Sequence, residues 1–209
     1  MKSCPQPKGS LPIQLLRIAS ECIVTHMKRT LCTADVRRSA VIESAIFVFA
    51  KTGYLGTPIA TVAKHAKISP AYVFKLFPTK EQLFVAALDA TFTLIQIALS
   101  DNAEGAENQS SDQLLQGMGA AYAGLIEDRN LLLIQVHALS AADVPEIATA
   151  FRNGLQMMVT FVKSRTGASD EAVQRFFAYG QLCHLITTLS IRGERTLWEQ
   201  MLTAGMRHT

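Results

Sequence analysis

Residues 57–77 contain two short amphipathic segments around a tight turn, and this pattern constrains the fold most strongly. The segments open with Thr57-Pro58 and Ser69-Pro70, where a hydroxyl can cap a helix and proline suits the first helical position. The apolar residues predicted to share a face are Ile59, Val62, Ala63 and Ala66, then Ala71, Phe74 and Phe77. Helices of about two turns cannot bury such faces alone, so a third helix is needed. The pattern predicts a helix-turn-helix, which can place one helix in the major groove of DNA.

The third helix is predicted just upstream, over about residues 36–51. Apolar residues cover one of its sides, and Gly53 suits the left-handed residue that commonly stops a helix. Downstream, Thr79 and Gln82 have the spacing of a capping box that opens a fourth helix. Residues 37–88 are therefore predicted to form one compact helical unit together with its exit helix.

Within a stretch of about fifty residues, this unit contains fourteen side chains in a fixed order that is known from one family. They are Ala45, Phe49, Gly53, Tyr54, Thr57, Val62, Ala63, Ala66, Ile68, Ser69, Phe77, Lys80, Glu81 and Leu83. In this respect the chain resembles the TetR-type transcriptional regulators. It departs from them at Lys67, where the family usually has Gly, at Phe74, where Tyr is usual, and at Leu76, where His is frequent. The last two changes remove polar groups that often contact phosphate.

Charge is unevenly distributed along the chain. Residues 35–81 carry seven Lys or Arg against three acids, whereas residues 82–209 carry eight against thirteen. Residues 1–34 are again basic, with five Lys or Arg against one acid. We call residues 35–81 the head and residues 82–209 the body. A basic head on an acidic body indicates that the head binds a polyanion. A solvated helical surface that happens to be basic is the alternative.

Composition favours an all-α protein of about nine helices. The chain has 209 residues, of which 49% are apolar, and this supplies a sizeable core. We expect an extension at residues 1–34 that is poorly ordered or not native, with an additional amphipathic helix over residues 11–27 as the competing idea. The helix-turn-helix DNA-binding domain is predicted at residues 35–80. A helical ligand-sensing and dimerisation domain is predicted at residues 81–209, as the resemblance implies.

Several functional classes find no support in the sequence. The four cysteines show no C-x-x-C spacing, so neither a zinc site nor a disulfide framework is indicated. The sequence has no P-loop, no G-x-G-x-x-G after a strand, no H-x-x-x-H pair and no nucleophile elbow, and we expect no enzyme activity and no cofactor. The apolar runs at residues 11–24 and 83–99 contain polar or charged residues, so neither is predicted to span a membrane. We expect a cytoplasmic protein.

The predicted contacts with double-stranded DNA follow from position on the two short helices. Tyr72 and Lys75 are expected on the exposed side of the second helix, and Pro70 and Ala71 at its N-terminal end, within reach of base edges. Thr57, Lys64, Ser69 and Lys80 lie at helix starts or flanks, where phosphate contact is expected. Arg38 and Lys67 are weaker candidates. For each residue the alternative is an ordinary cap or a solvated charge.

The C-terminal helices offer candidates for a ligand pocket and a dimer interface. The candidate pocket residues for a small-molecule effector are Tyr122, His137, Met158, Phe161 and His184. The candidate residues for a homodimer interface are Phe176, Phe177, Gly180, Cys183, Leu197, Trp198 and Met201. In both sets the alternative is ordinary core packing. A dimer would present two recognition helices to sites about 34–36 Å apart on DNA.

Together these features predict a sequence-specific DNA-binding transcriptional regulator. The resemblance implies a repressor that a small-molecule ligand releases from a palindromic operator. The alternatives are a helical architectural DNA-binding protein and a protein-interaction module, both without a ligand response.

Overall fold

A computed structural model describes residues 33–101, 109–191 and 196–205. These residues form helices and no strand, so the all-α prediction is confirmed. The helices are α1 (Thr33–Gly56), α2 (Ile59–His65), α3 (Pro70–Leu76), α4 (Lys80–Asp101), α5 (Ser111–Leu125), α6 (Arg129–Ser140), α7 (Pro145–Thr166), α8 (Asp170–Leu189) and α9 (Leu197–Thr203). Most of the predicted extension lies outside the described residues, and α1 begins within its last two residues.

The helix starts follow the capping pattern at several positions. The Ser69 hydroxyl accepts a hydrogen bond from the backbone N–H of Tyr72 at 3.2 Å, and Pro70 occupies the first turn of α3. Thr79 accepts from the N–H of Gln82 at 3.2 Å, just before α4. These side chains satisfy donors that a helix N-terminus leaves without partners.

The predicted cap at Thr57 is wrong. The capping position of α2 is Pro58, and no side chain caps this helix. Thr57 is fully buried instead, and its hydroxyl donates to the carbonyl oxygen of Gly53 at 2.7 Å. The same hydroxyl lies 2.5 Å from the hydroxyl of Thr52. These contacts stabilise the kink of α1 at Gly53, where φ is 71° and ψ is 175°. A short helical segment continues beyond this glycine to Gly56.

One cluster of buried apolar side chains extends from α1–α3 into the helices that follow. Helix α1 buries Val41, Ala45 and Phe49 one turn apart, and it packs against α2, α4 and α6. Helix α4 packs against α5, α6 and α7. Within the described part of the chain, α4 is the one helix long and apolar enough to cross a membrane, but half of its most apolar stretch is buried inside the protein. Its burial is that of a core helix.

Candidate nucleic-acid interface and interior cavity

Helices α2 and α3 and the turn between them form the predicted helix-turn-helix. The side chains of Val62 and Ala63 in α2 and of Val73 in α3 are buried in the interior of the head. Lys67 in the turn has a φ of 56°, the left-handed conformation that glycine adopts most readily. The turn therefore has the backbone geometry of a position suited to glycine while carrying a lysine.

The buried face of α3 differs from the sequence-based prediction at two of its three residues. Val73 and Phe77 are buried, at 0% and 1% exposure, whereas Ala71 is exposed and Phe74 is 46% exposed. The prediction that Ala71 and Phe74 share the buried face of α3 is therefore wrong. Phe74 is an exposed aromatic side chain that sequence reasoning did not assign to the candidate interface. An apolar side chain in this position can contact a thymine methyl group.

Most of the predicted DNA contacts lie at the surface of the head. Ser69, Pro70, Ala71 and Lys75 are exposed on α3 or at its start, and Lys64 is exposed on α2. Tyr72 is half-buried, with the guanidinium of Arg37 5.5 Å from its ring centroid. Thr57 is the exception, because full burial leaves it no surface to offer to DNA.

Two further basic side chains are held by the head itself. Arg38 donates from Nη1 to the carbonyl oxygen of Leu76 at 2.7 Å and lies 4.1 Å from the ring centroid of Phe77. It therefore binds the C-terminal end of α3, where helix carbonyls lack partners. Its principal role in the structure is to fix α3 against α1.

Lys80 begins α4 at the edge of the same surface. Its Nζ donates to the carbonyl oxygen of Leu55 at 3.3 Å and lies 4.8 Å from the ring centroid of Tyr54. Tyr54 in turn donates to Glu81 Oε1 at 2.5 Å. Burial and this hydrogen bond raise the pKa of Tyr54 to about 12, and the same bond lowers the pKa of Glu81. The cluster joins the end of α1 to the start of α4.

A cavity of about 410 Å³ lies among α4, α5, α6, α7 and α8. This volume falls in the range of about 300–1,000 Å³ that is typical of small-molecule sites. Its apolar wall includes Phe92, Ile95, Leu99, Leu115, Phe151, Leu155, Met158, Phe176 and Phe177. Asp112, Gln116, Arg175 and Gln181 are exposed and form part of its rim.

Three polar side chains meet at one side of the cavity. The Tyr122 hydroxyl donates to Gln135 Oε1 at 3.3 Å and is also hydrogen-bonded to His184 Nε2. Gln135 Nε2 donates to the carbonyl oxygen of Leu131 at 2.8 Å, which orients the amide. Burial raises the pKa of Tyr122 and lowers that of His184 to about 4. The three groups are therefore uncharged at neutral pH.

The predicted ligand residues separate into two groups. Tyr122 and Met158 line the cavity, and His184 lies behind the wall as the partner of Tyr122. His137 and Phe161 do not line it. His137 faces the head instead, where its Nε2 donates to the carbonyl oxygen of Ala50 at 3.2 Å. Gln135 also lines the cavity.

The predicted dimer residues also occupy two environments. Phe176, Phe177, Gly180 and Cys183 line the cavity. Leu197, Trp198 and Met201 of α9 are 79%, 57% and 78% exposed. Helix α8 also has exposed large apolar side chains, namely Tyr179, Leu185 and Leu189, and Tyr179 lines the cavity as well. Both faces of α8 are apolar, so periodicity alone did not indicate which face points inward.

Metal ligands are not grouped in the described part of the chain. No set of three or more His, Cys, Asp or Glu side chains there could hold a metal ion.

Comparisons with known proteins agree with this architecture. Residues 41–87 match the model of bacterial regulatory proteins of the tetR family. The chain is 25% identical over 159 residues to YuxN of Bacillus subtilis (strain 168), an uncharacterized HTH-type transcriptional regulator. That match covers 74% of this chain and 52% of YuxN, so the chain spans about half the length of this curated relative.

Solved structures share the fold beyond the head. The fatty acid degradation regulator FadR from Bacillus halodurans has a TM-score of 0.64 at 15% identity, covering 88% of this chain and 100% of FadR. AibR, solved with isovaleryl coenzyme A and operator DNA, has a TM-score of 0.61 at 17% identity, covering 81% of this chain and 95% of AibR. The head of the chain, over residues 41–87, matches the model of bacterial regulatory proteins of the tetR family, and the fold of the longer chain is similar to those of solved TetR-family proteins.

Proposed function

We propose that the protein is a sequence-specific DNA-binding repressor that a small-molecule ligand releases from a palindromic operator. Helix α3 is the proposed recognition helix, and Ala71, Phe74 and Lys75 are exposed along it. The guanidinium of Arg37 lies over the ring of Tyr72, 5.5 Å from its centroid. The basic head supplies charge for phosphate contacts, which dominate affinity, whereas contacts from α3 to base edges supply specificity.

The observation that carries the proposal is the position of α6 between cavity and head. Gln135 lines the cavity, and His137, two residues further along the helix, contacts Ala50 and Gly53 of α1. A ligand that displaces α6 would therefore alter the support of the head directly. For release from DNA, the ligand must bind the DNA-incompetent arrangement more tightly than the competent one. AibR, a structural neighbour, was solved with both a ligand and operator DNA.

A homodimer is proposed through the outer faces of α8 and α9. The exposed apolar side chains there are Tyr179, Leu185, Leu189, Leu197, Trp198 and Met201. An exposed apolar group of this extent favours a protein contact. Trp198→Asp should convert the dimer to monomer in analytical ultracentrifugation, and Val159→Asp, at an exposed apolar site on α7, is the matched control. A monomeric wild-type protein would contradict this part of the proposal.

The DNA-binding proposal is tested by selection from a random pool of duplexes with the purified full-length protein. We expect a palindromic sequence to be enriched by the wild type and lost with Tyr72→Ala. An enriched sequence without a ligand response would favour an architectural protein. Absence of any salt-sensitive binding would favour a protein-interaction module and contradict the proposal.

A further inference from the structure

Among the residues that the structure describes, none places a charged side chain in the interior of the cavity. Asp112 and Arg175 are the charged members of its lining, and both are exposed at the rim. Their opposite charges give the rim no net preference. A charged group carried into the interior would lose its hydration without gaining a counter-charge, and this weakens its binding. The cavity therefore selects against ligands whose buried part is ionised.

Aromatic rings make up much of the wall. Phe92 and Phe151 pack edge to face with centroids 5.4 Å apart and an interplanar angle of 78°. Phe176 and Phe177 do the same at 5.4 Å and 85°. Perpendicular pairs present both ring edges and ring faces to whatever lies beside them, so they suit edge-to-face and offset contacts with a further aromatic ring.

The hydroxyl group of Tyr122 makes only a long hydrogen bond to its acceptor, Gln135. The separation of 3.3 Å between its hydroxyl and Gln135 Oε1 exceeds the usual 2.5–3.0 Å of an O–H···O hydrogen bond. Gln135 cannot reverse its amide without losing the bond to Leu131. His184 Nδ1 is buried without a partner among the described residues, so His184 is assigned the tautomer that carries its proton on Nε2 and donates to the Tyr122 oxygen. The Tyr122 proton is then available to a better-placed acceptor.

From this arrangement, and resting on the ligand-responsive function proposed above, we propose that the cavity binds an uncharged aromatic molecule carrying one acceptor oxygen. The aromatic body lies between the two phenylalanine pairs. The oxygen, as in a ketone, ester or ether, accepts the proton of Tyr122 in place of Gln135. His184 and Gln135 keep the tyrosine hydroxyl oriented in the free protein, so little ordering is needed on binding.

The test uses four probes that share one ring system: naphthalene, 2-acetylnaphthalene, 2-naphthoate and 2-naphthylmethylammonium. Calorimetric titration of the full-length protein should show 2-acetylnaphthalene binding about three- to tenfold more tightly than naphthalene, the gain from one net hydrogen bond. The two ions should bind more weakly than naphthalene. Tighter binding of either ion, or no binding of any probe, would overturn the proposal.

Two variants assign the binding to this cavity. Tyr122→Phe should reduce the affinity for 2-acetylnaphthalene to that for naphthalene, and an unchanged preference would overturn the role of its hydroxyl. Gly119→Leu places a side chain into the cavity wall, where the nearest atom to a new Cβ is Phe176 Cε2 at 3.9 Å. It should abolish binding, whereas Gly124→Leu on the same helix, with no atom within 4 Å, should not. The selection of duplexes does not depend on these titrations. If the probes do not bind as expected, the DNA-binding proposal can still be tested on its own.

Discussion

The imidazole of His137 lies over Gly53, so that a Cβ atom built on this glycine would be 3.1 Å from His137 Nδ1. The glycine also has a φ of 71° and a ψ of 175°, a combination open almost solely to glycine. Head and body therefore meet at a position where backbone conformation and close contact both require the absence of a side chain.

Gly53→Ala should lower the free energy of unfolding by about 1–3 kcal/mol, because it adds backbone strain to a contact that is already close. Chemical denaturation checks this value. Gly56→Ala is the matched control, since its new Cβ would meet Thr52 Cβ at an ordinary 3.7 Å and its φ is not in the positive range. Equal effects of the two substitutions would contradict the assigned cause.

Lys67→Gly should stabilise the protein by about 0.5–1 kcal/mol. The residue has a φ of 56°, so glycine removes steric strain, partly offset by its greater freedom in the unfolded chain. Lys64→Gly on exposed α2 removes the same charge from the head but should destabilise the protein by about 1 kcal/mol. Loss of stability in both variants would show that Lys67 is not strained.

Gly154→Ala should disturb the packing beneath the cavity. A Cβ at this position would lie 2.3 Å from two ring atoms of Phe92, which itself lines the cavity. The ring must move, and we expect a loss of about 1–3 kcal/mol in the free energy of unfolding, as for overpacked cores. Gly117→Ala, with no atom within 4 Å, should instead stabilise its helix by about 0.5–1 kcal/mol. A stabilised Gly154→Ala variant would contradict the described packing.

The stability of the protein should depend on pH through His184. Its pKa in the folded state is lowered to about 4 by burial, whereas an unfolded histidine titrates near about 6.5. Between these values the unfolded chain binds the extra proton, so the contribution is fully present above about pH 6.5 and is lost as the pH falls toward 4. The loss amounts to at most about 3 kcal/mol. The free energy of unfolding, measured by chemical denaturation between these pH values, should depend less on pH in His184→Gln than in the wild type. An equal pH dependence in both proteins would contradict the assignment.

The sequence was a good guide where local chemistry decides the structure. Ser69 and Thr79 cap their helices as their positions predict, and Gly53 has the expected positive φ. Thr57 has the same local pattern as Ser69, yet its hydroxyl bonds to a carbonyl inside the head. The hydrogen-bond partner of a hydroxyl group depends on whether the side chain is buried. The capping pattern in the sequence does not show whether it is buried.

The site was less predictable because it depends on contacts between distant segments. His137 meets Ala50 across 87 residues, and Tyr122 meets His184 across 62. The apolar periodicity of α8 fits a face toward the cavity as well as a face toward a partner. Phe176 and Phe177 were therefore predicted at an interface, whereas the structure places them in the cavity wall.

The most direct measurement of the central proposal is a fluorescence anisotropy titration of the selected duplex and a scrambled duplex, at about 50 and 200 mM salt. We predict that the wild type prefers the selected duplex at both salt concentrations and that Tyr72→Ala loses about 1–3 kcal/mol on this duplex alone. Val159→Ala, at an exposed apolar site of α7 outside the head, the cavity and the proposed dimer surface, should leave the preference intact. Equal affinity of the wild type for both duplexes, or an unchanged preference in Tyr72→Ala, would contradict a recognition helix that reads sequence through this residue.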